Sequence, residues 1–307
     1  MLFRSESRPE AGGALPARPR FAMVFQVPAP VLLPMRAYYR TTGRLAPRLA
    51  VSAFQRMMTG MPHGPLSPRD RSFLASGRRL VIPCDGATLA GYEFGSGPTV
   101  MLVHGLMGSS ANFHALVPAL VARGFRVVAV DFLNHGQSPR GASFSRQTIG
   151  QMRQIIASQG RLHALVSHSA GGYLTAMALR ELPPGTTVGR CVYIAPYPSM
   201  EVTLRTFMTY FHVPDRVLPA LKQWVGEIAG VPCDEQTLVA SLPRHRTPEP
   251  PACLFIHDAD DRHIPLASTR DVVARLGGAP LVVTQGLGHF KVLKDALVLE
   301  RIAAFLA

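Results

Sequence analysis

The chain has 307 residues, 47% of them hydrophobic and 17% charged, which suits one large domain with a sizeable core and excludes a disordered chain. Its formal net charge of +13 is unevenly placed: residues 1–80 carry +10 and residues 81–307 only +3. No basic face therefore spreads over the main domain, which argues against a generic nucleic-acid binder. The four cysteines, Cys84, Cys191, Cys233 and Cys253, show no C-x-x-C pair and no zinc-finger histidine spacing. They predict neither a disulfide frame nor a metal site, and they point to a reducing, cytoplasmic setting.

Residues 1–35 read as loosely structured, rich in Pro, Gly, Ala and Arg. Within them "FAMVFQVPAPVLLPM" (21–35) is apolar and follows arginines, but Pro28, Pro30 and Pro34 spoil a signal-peptide helix and the run is short for a membrane span. Residues 45–58 place Leu45, Leu49, Phe54 and Met57 near one helical face. In "LSPRDRSFLASG", Ser67 is placed as an N-cap, Pro68 and Asp70 occupy the first turn, and Gly77 stops the helix. Residues 1–78 are thus a basic extension, a flexible start followed by helices, expected to pack on the back of the main domain. The competing expectation is a basic amphipathic surface making weak peripheral contact with an anionic membrane through residues 1–80.

From residue 79 onward strand and helix alternate. "RLVIPC" and "ATLAGYEF" flank an Asp85-Gly86 turn and predict a hairpin. "TVMLV", "RVVAV", "LHALV", "RCVYIA", "ACLFI" and "PLVVT" are compact apolar runs, as strands buried on both faces of a parallel sheet require. Helical stretches are predicted at 110–123, 146–158, 170–182, 265–276 and 290–306. The fold class is α/β: a mostly parallel doubly wound sheet over 79–196 and 250–307, entered by an antiparallel hairpin. Residues 197–249 interrupt it as a helical lid expected over the sheet's C-terminal edge, offering Met200, Leu204, Phe207, Met208, Tyr210, Phe211 and Trp224.

Ligands of such sheets bind where strands end, and the strand exits here are chemically dense. They read "HGLMGSS" from His104, "DFLNHGQS" from Asp131, Ser167-His168-Ser169-Ala170-Gly171-Gly172, "HDADDRHIP" from His257, and "QGLGHF" containing His289. A nucleophile at a tight strand-to-helix turn needs small residues two before and two after it. Ser169 has Ser167 and Gly171 there, whereas Ser167 would have the bulky Leu165.

Taken together, residues 79–307 resemble the α/β-hydrolase family, in its serine-nucleophile, lidded, esterase- and lipase-like branch. The resemblance implies Ser169 as nucleophile, His289 as base and Asp261 as the orienting acid, with Asp260 the alternative and Asp258 a loop-capping or solvated carboxylate. Repulsion within this aspartate cluster raises the expectation that Arg262 holds one of them. Backbone N–H groups of Ala170 and Leu106 would form the oxyanion hole, with Met107 next in line. His104, Gly105, Ser167, His168 and Gly171 would support the loops, and His135 would brace them. Ser167 departs from the family's G-x-S-x-G pattern. Epoxide hydrolases and haloalkane dehalogenases of this fold use an aspartate where Ser169 stands. The implied function is hydrolysis of a small-molecule carboxylic ester through an acyl-enzyme, with no cofactor and no nucleic-acid partner. Thioesters, lactones and acyl transfer suit the same triad, and a non-catalytic, membrane-apposed binding protein is the alternative of another class.

Overall fold

The computed structural model describes residues 27–59, 66–84, 86–141, 145–242 and 250–307. Its strands are β1 (Arg78–Cys84), β2 (Ala87–Phe94), β3 (Thr99–Val103), β4 (Arg126–Asp131), β5 (Arg161–His168), β6 (Thr187–Ile194), β7 (Ala252–Asp258) and β8 (Leu281–Thr284). They form one sheet in the order β1-β2-β4-β3-β5-β6-β7-β8. β2 runs antiparallel to both β1 and β4, and every other neighbouring pair is parallel. Each strand lies where an apolar run predicts it. Of the hairpin turn, Gly86 adopts φ +77°, and Asp85 lies outside the described residues.

Helices α1 (Ala29–Leu45), α2 (Pro47–Thr59) and α3 (Pro68–Ala75) precede the sheet. Within it come α4 (Leu116–Val121), α5 (Ser145–Ser158), α6 (Ala170–Leu179), α7 (Met200–Phe211), α8 (Leu218–Ala229), α9 (Leu238–Ser241), α10 (Leu266–Arg275), α11 (Gly288–Lys291) and α12 (Ala296–Leu306). The period of two along the strands divides the core. Met101, Val103, Val128 and Val130 face the side holding α5 and α6. Val100, Leu102, Val127 and Ala129 face the side holding α3, α4 and α12.

Local chemistry sets the helix ends. Ser67 Oγ accepts from Asp70 N (3.1 Å) while the Asp70 carboxylate accepts from Ser67 N (3.2 Å), a reciprocal cap on α3. The predicted helix 110–123 is instead a 3-10 turn, Ser110–Phe113, followed by the short α4. Pro118 has no N–H to bond back to His114, which is why one continuous helix does not form. The predicted 290–306 helix is likewise divided, because Asp295 Oδ1 accepts from Leu297 N and Val298 N (both 3.1 Å) and starts α12 afresh.

The N-terminal extension departs most from expectation. Residues read as loose after position 28 form α1: Pro28 is its cap, Pro30 sits in the first turn where no N–H is needed, and Pro34 costs it one internal hydrogen bond. Nor do α1 and α2 pack on the back of the sheet. They lie on α7 and on the turn at Asp215–Val217. Tyr39 meets Phe211 at 6.1 Å and Phe54 meets Phe207 at 6.5 Å between ring centroids. Arg36 Nε donates to Tyr210 O (2.8 Å), and Arg216 donates to Arg44 O (2.8 Å). α8 in turn rests on α5 and α9 on α6. Phe207, Tyr210 and Phe211 of the insertion are thus engaged by the extension and by one another. Residues 243–249, the end of the predicted lid, lie outside the described residues.

Phe54 has no exposed surface, so Phe54→Ala should lower the unfolding free energy by about 3 kcal/mol. Urea denaturation followed by far-UV circular dichroism measures this; an unchanged midpoint would mean that α2 is not part of the cooperative unit.

Candidate active site

β5 ends at His168, and Ser169 turns the chain into α6 at φ 55°, ψ −125°, a region nearly closed to residues with a side chain. Such strain costs about 1–3 kcal/mol and persists only where surrounding contacts enforce it. Here Ser169 N donates to Ile194 O (2.9 Å), and Ser169 O accepts from Gly172 N (2.9 Å) and Tyr197 N (3.2 Å). Any side chain on Gly171 would stand 2.5 Å from Val103 O, and one on Gly105 would stand 2.8 Å from Ser169 Cβ. Both glycines are therefore required by close approach. Ser167, two residues before the turn, is fully buried within β5, and its hydroxyl donates to Val192 O (3.1 Å). A serine fits this position because it finds a carbonyl partner there.

His289 Nε2 lies 3.0 Å from Ser169 Oγ, and its Nδ1 lies 2.7 Å from Asp261 Oδ2. Ser169, His289 and Asp261 are all buried. The other oxygen of Asp261 accepts from His263 N (2.7 Å) and Ile264 N (3.0 Å). Burial pushes the Asp261 carboxyl up, but the His289 hydrogen bond and charge and these two amides outweigh it, holding the group below the usual carboxylate range. Asp260, the sequence's alternative acid, is exposed and accepts from Gly286 N (2.9 Å).

The loop after β3 approaches the same serine. His104 Nδ1 donates to Gly105 O (2.8 Å) and its Nε2 accepts from Phe132 N (3.2 Å). His135 Nδ1 donates to Leu133 O (2.8 Å), and its Nε2 accepts the Met107 N–H (3.1 Å). That bond engages the Met107 N–H. His168 Nε2 donates to His289 O (2.9 Å), with the two rings 4.6 Å apart. Burial, then the charge of His289, keeps His168 well below the ordinary histidine range and hence neutral.

A buried serine, histidine and aspartate joined in line at a strained strand-to-helix turn narrow the comparison with known proteins, and the sequence profile of the alpha/beta hydrolase family matches residues 100–301. The chain belongs to the alpha/beta hydrolase family. This family member is 30% identical over 229 residues to a pimeloyl-[acyl-carrier protein] methyl ester esterase of Methylococcus capsulatus, covering 68% of this chain and 87% of that one. It is 44% identical to the sn-1-specific diacylglycerol lipase ABHD11 of Mus musculus over 85 residues, 27% of each chain. It spans about a quarter to two-fifths of the length of the first curated relatives it matches. Among solved structures, the Pyrococcus furiosus esterase PF2001 aligns with a TM-score of 0.59 over 81% of this chain and 97% of that one, at 19% identity. A membrane phospholipase A aligns at 0.56 over 90% of this chain and 96% of that one, also at 19% identity. At that identity the two structures speak to the fold.

Several residues of this family member's site escaped the sequence reading. Asp258 is fully buried and accepts four hydrogen bonds: Gly288 N (2.8 Å) and Asp260 N (3.0 Å) on Oδ1, Thr284 Oγ1 (2.8 Å) and Leu287 N (3.0 Å) on Oδ2. It ties the end of β7 to the loop that delivers His289. No ion pair joins Arg262 to any of the three aspartates among the described residues, contrary to expectation; main-chain amides and one hydroxyl take that role. His257 lies behind Asp261, its Nε2 donating to Ile264 O (2.9 Å) and its Nδ1 accepting from Thr269 Oγ1 (2.7 Å). Burial depresses its basicity as well. The only signal for either residue was a place at the C-terminal end of β7. His263 stacks on His289 at 4.8 Å. Asp261, His263 and His289 bring potential metal-ligating atoms within 4.8 Å of one another, although the Asp261–His289 contact already engages two of them.

Burial raises the Asp258 carboxyl, but its four donors win and hold it low. Because folding depresses both Asp258 and Asp261, each contributes stability above the ordinary carboxylate value near pH 4, lost as pH falls through the lower folded value. Asp258→Asn should therefore cost about 2–3 kcal/mol at pH 7, with the deficit shrinking toward pH 3 in urea titrations. A deficit independent of pH would show that the four donors do not require a charge.

Proposed function

We propose that this protein is a serine hydrolase of carboxylic esters acting through Ser169, His289 and Asp261. The observation that carries the reading is the continuous line Ser169 Oγ–His289 Nε2 (3.0 Å) and His289 Nδ1–Asp261 Oδ2 (2.7 Å), set on a residue at φ 55°. With Nδ1–H donated to Asp261, Nε2 is the lone-pair nitrogen facing the serine hydroxyl and accepts its proton as Oγ attacks the acyl carbon. Asp261 stays ionised and stabilises the imidazolium that forms. The oxyanion is received by the N–H groups of Ala170 and Leu106, two backbone donors that need no reorganisation. His289 then returns the proton to the departing alcohol, and a water activated by the same nitrogen releases the acid. No step calls for a cofactor.

Relatives named as a diacylglycerol lipase and a methyl ester esterase support an ester as substrate. A relative named as a bifunctional epoxide hydrolase shares 40% identity over 118 residues, but the elbow residue here is a serine, which supports acyl chemistry instead. Half-buried Leu106 and Met107 follow Gly105, which packs on Ser169, half-buried Ala170 follows Ser169 directly, and the Phe290 ring lies 5.0 Å from that of His289. These apolar neighbours favour medium-chain or aromatic acyl groups over charged ones.

Ser169→Ala should abolish fluorophosphonate labelling and reduce turnover of p-nitrophenyl esters by at least about a thousandfold; unchanged turnover would overturn the mechanism. Ser167→Gly should lose about 1 kcal/mol with its hydrogen bond to Val192 yet remain fully labelled at Ser169. Loss of labelling in that variant would mean that the Ser167 side chain maintains the turn itself.

A further inference from the structure

α1 and α2 present two unlike faces. The inner one, Tyr39, Gly43, Ala50, Phe54 and Met58, is buried against the lid. The outer one carries Val31 at 51% exposure, Leu33 at 62%, Tyr38 at 43%, Leu45 at 81% and Leu49 at 58%, five of the nine large hydrophobic side chains exposed among the described residues. Interspersed with them are exposed Arg40, Arg44, Arg48 and Arg56, and residues 27–59 contain no acidic residue at all. Of the elements packed against α1 and α2, the turn at Asp215–Val217 brings Asp215 beside Arg216, and α7 brings Glu201, which is paired with Arg205 and Lys222. Burial and then the charges of Arg36 and Arg40 hold the His212 imidazole below its ordinary range.

We propose that the outer face of α1 and α2 docks on the surface of an anionic lipid bilayer. Three leucines and a valine among arginines suit the boundary between headgroups and acyl chains, where apolar side chains leave water while guanidinium groups stay with phosphates. A nucleic acid would use the arginines but gain nothing from four exposed aliphatic chains. A second copy of this chain would bring a like charge and would have to overcome the repulsion between two sets of arginines. The contact is peripheral: no described helix is long and apolar enough to cross a membrane. Because the inner faces of the same helices hold Phe207 and Phe211 of α7, the bilayer surface and the lid are joined through one layer of side chains.

The test is cosedimentation of the full chain with vesicles of phosphatidylglycerol and phosphatidylcholine in equal parts, against vesicles of phosphatidylcholine alone. Binding should favour the anionic vesicles and weaken as salt rises from about 0.1 M to about 0.5 M. Arg40→Gln with Arg48→Gln should weaken it roughly thirtyfold, and Leu45→Ser with Leu49→Ser about tenfold. All four positions are exposed, so thermal melting should be unchanged and a loss of binding will not reflect unfolding. Three results would overturn the assignment. One is an equal loss from the distant pair Arg161→Gln and Arg301→Gln, which would indicate general attraction to net charge. Another is an undiminished affinity in the double-leucine variant, the mark of polyanion binding without insertion. The third is vesicle-free dimerisation, seen by analytical ultracentrifugation and abolished by the leucine variant, which would make this face a contact between copies.

Discussion

The molecule is organised around a serine held at a positive φ where three strands end. The strain is local, but its restraint is not. Ser169 N is bonded to the end of β6, and a side chain on Gly171 would strike the end of β3, the strand on the other side of β5. The parallel order β3-β5-β6 is what places both neighbours there. Gly105 lets the loop after β3 come into contact with Ser169 Cβ, so the sheet order, the two glycines and the serine conformation form one constraint. A chain able to relax Ser169 would have to separate β5 from one of its neighbours, at a cost in core burial well above the strain it relieved.

Among the described residues, no lysine or arginine pairs with the carboxylates around this turn. Three aspartates lie within four residues, yet their surroundings differ: Asp260 is solvated, Asp258 is saturated by four donors, and Asp261 shares its oxygens between two amides and His289. The histidines follow the same logic. His104, His135, His168 and His257 each donate one ring N–H to a backbone carbonyl, and each is thereby fixed in orientation. Of the five rings, His289 is the one held between a carboxylate and a hydroxyl rather than by a backbone carbonyl.

The strands and the serine turn were readable in the sequence because both are local. An apolar run bounded by turn residues declares a buried strand, and small residues two before and two after Ser169 declare the turn. Asp261 and His289 were legible through spacing and resemblance, and contact between them is what the sheet order makes. Asp258 was legible as a loop-capping or solvated carboxylate but not as a buried one saturated by four donors, because Thr284, Leu287 and Gly288 reach it only through the pairing of β7 with β8. His257 was hidden in the same way, its partners being a threonine twelve residues on and a carbonyl seven residues on. The start of α1 was misread because three prolines count against a helix on propensity alone. Two of them occupy the cap and the first turn, and tertiary burial of Tyr39 and Gly43 offsets the third.

That helix changes how the outer half of the molecule must be understood. α1 and α2 touch α7 and the turn after it, whereas α8 and α9 touch α5 and α6, which lie directly on the sheet. The layers are therefore serial: the sheet supports α5 and α6, these support α8 and α9, and α7 with the turn after it supports the extension. Phe207 and Phe211 are core residues only while Phe54 and Tyr39 cover them, and Phe54 and Tyr39 are buried only while the lid is in place. Moving α7 away from the N-terminal helices would expose this aromatic cluster, at roughly 1.5–3 kcal/mol for each large side chain.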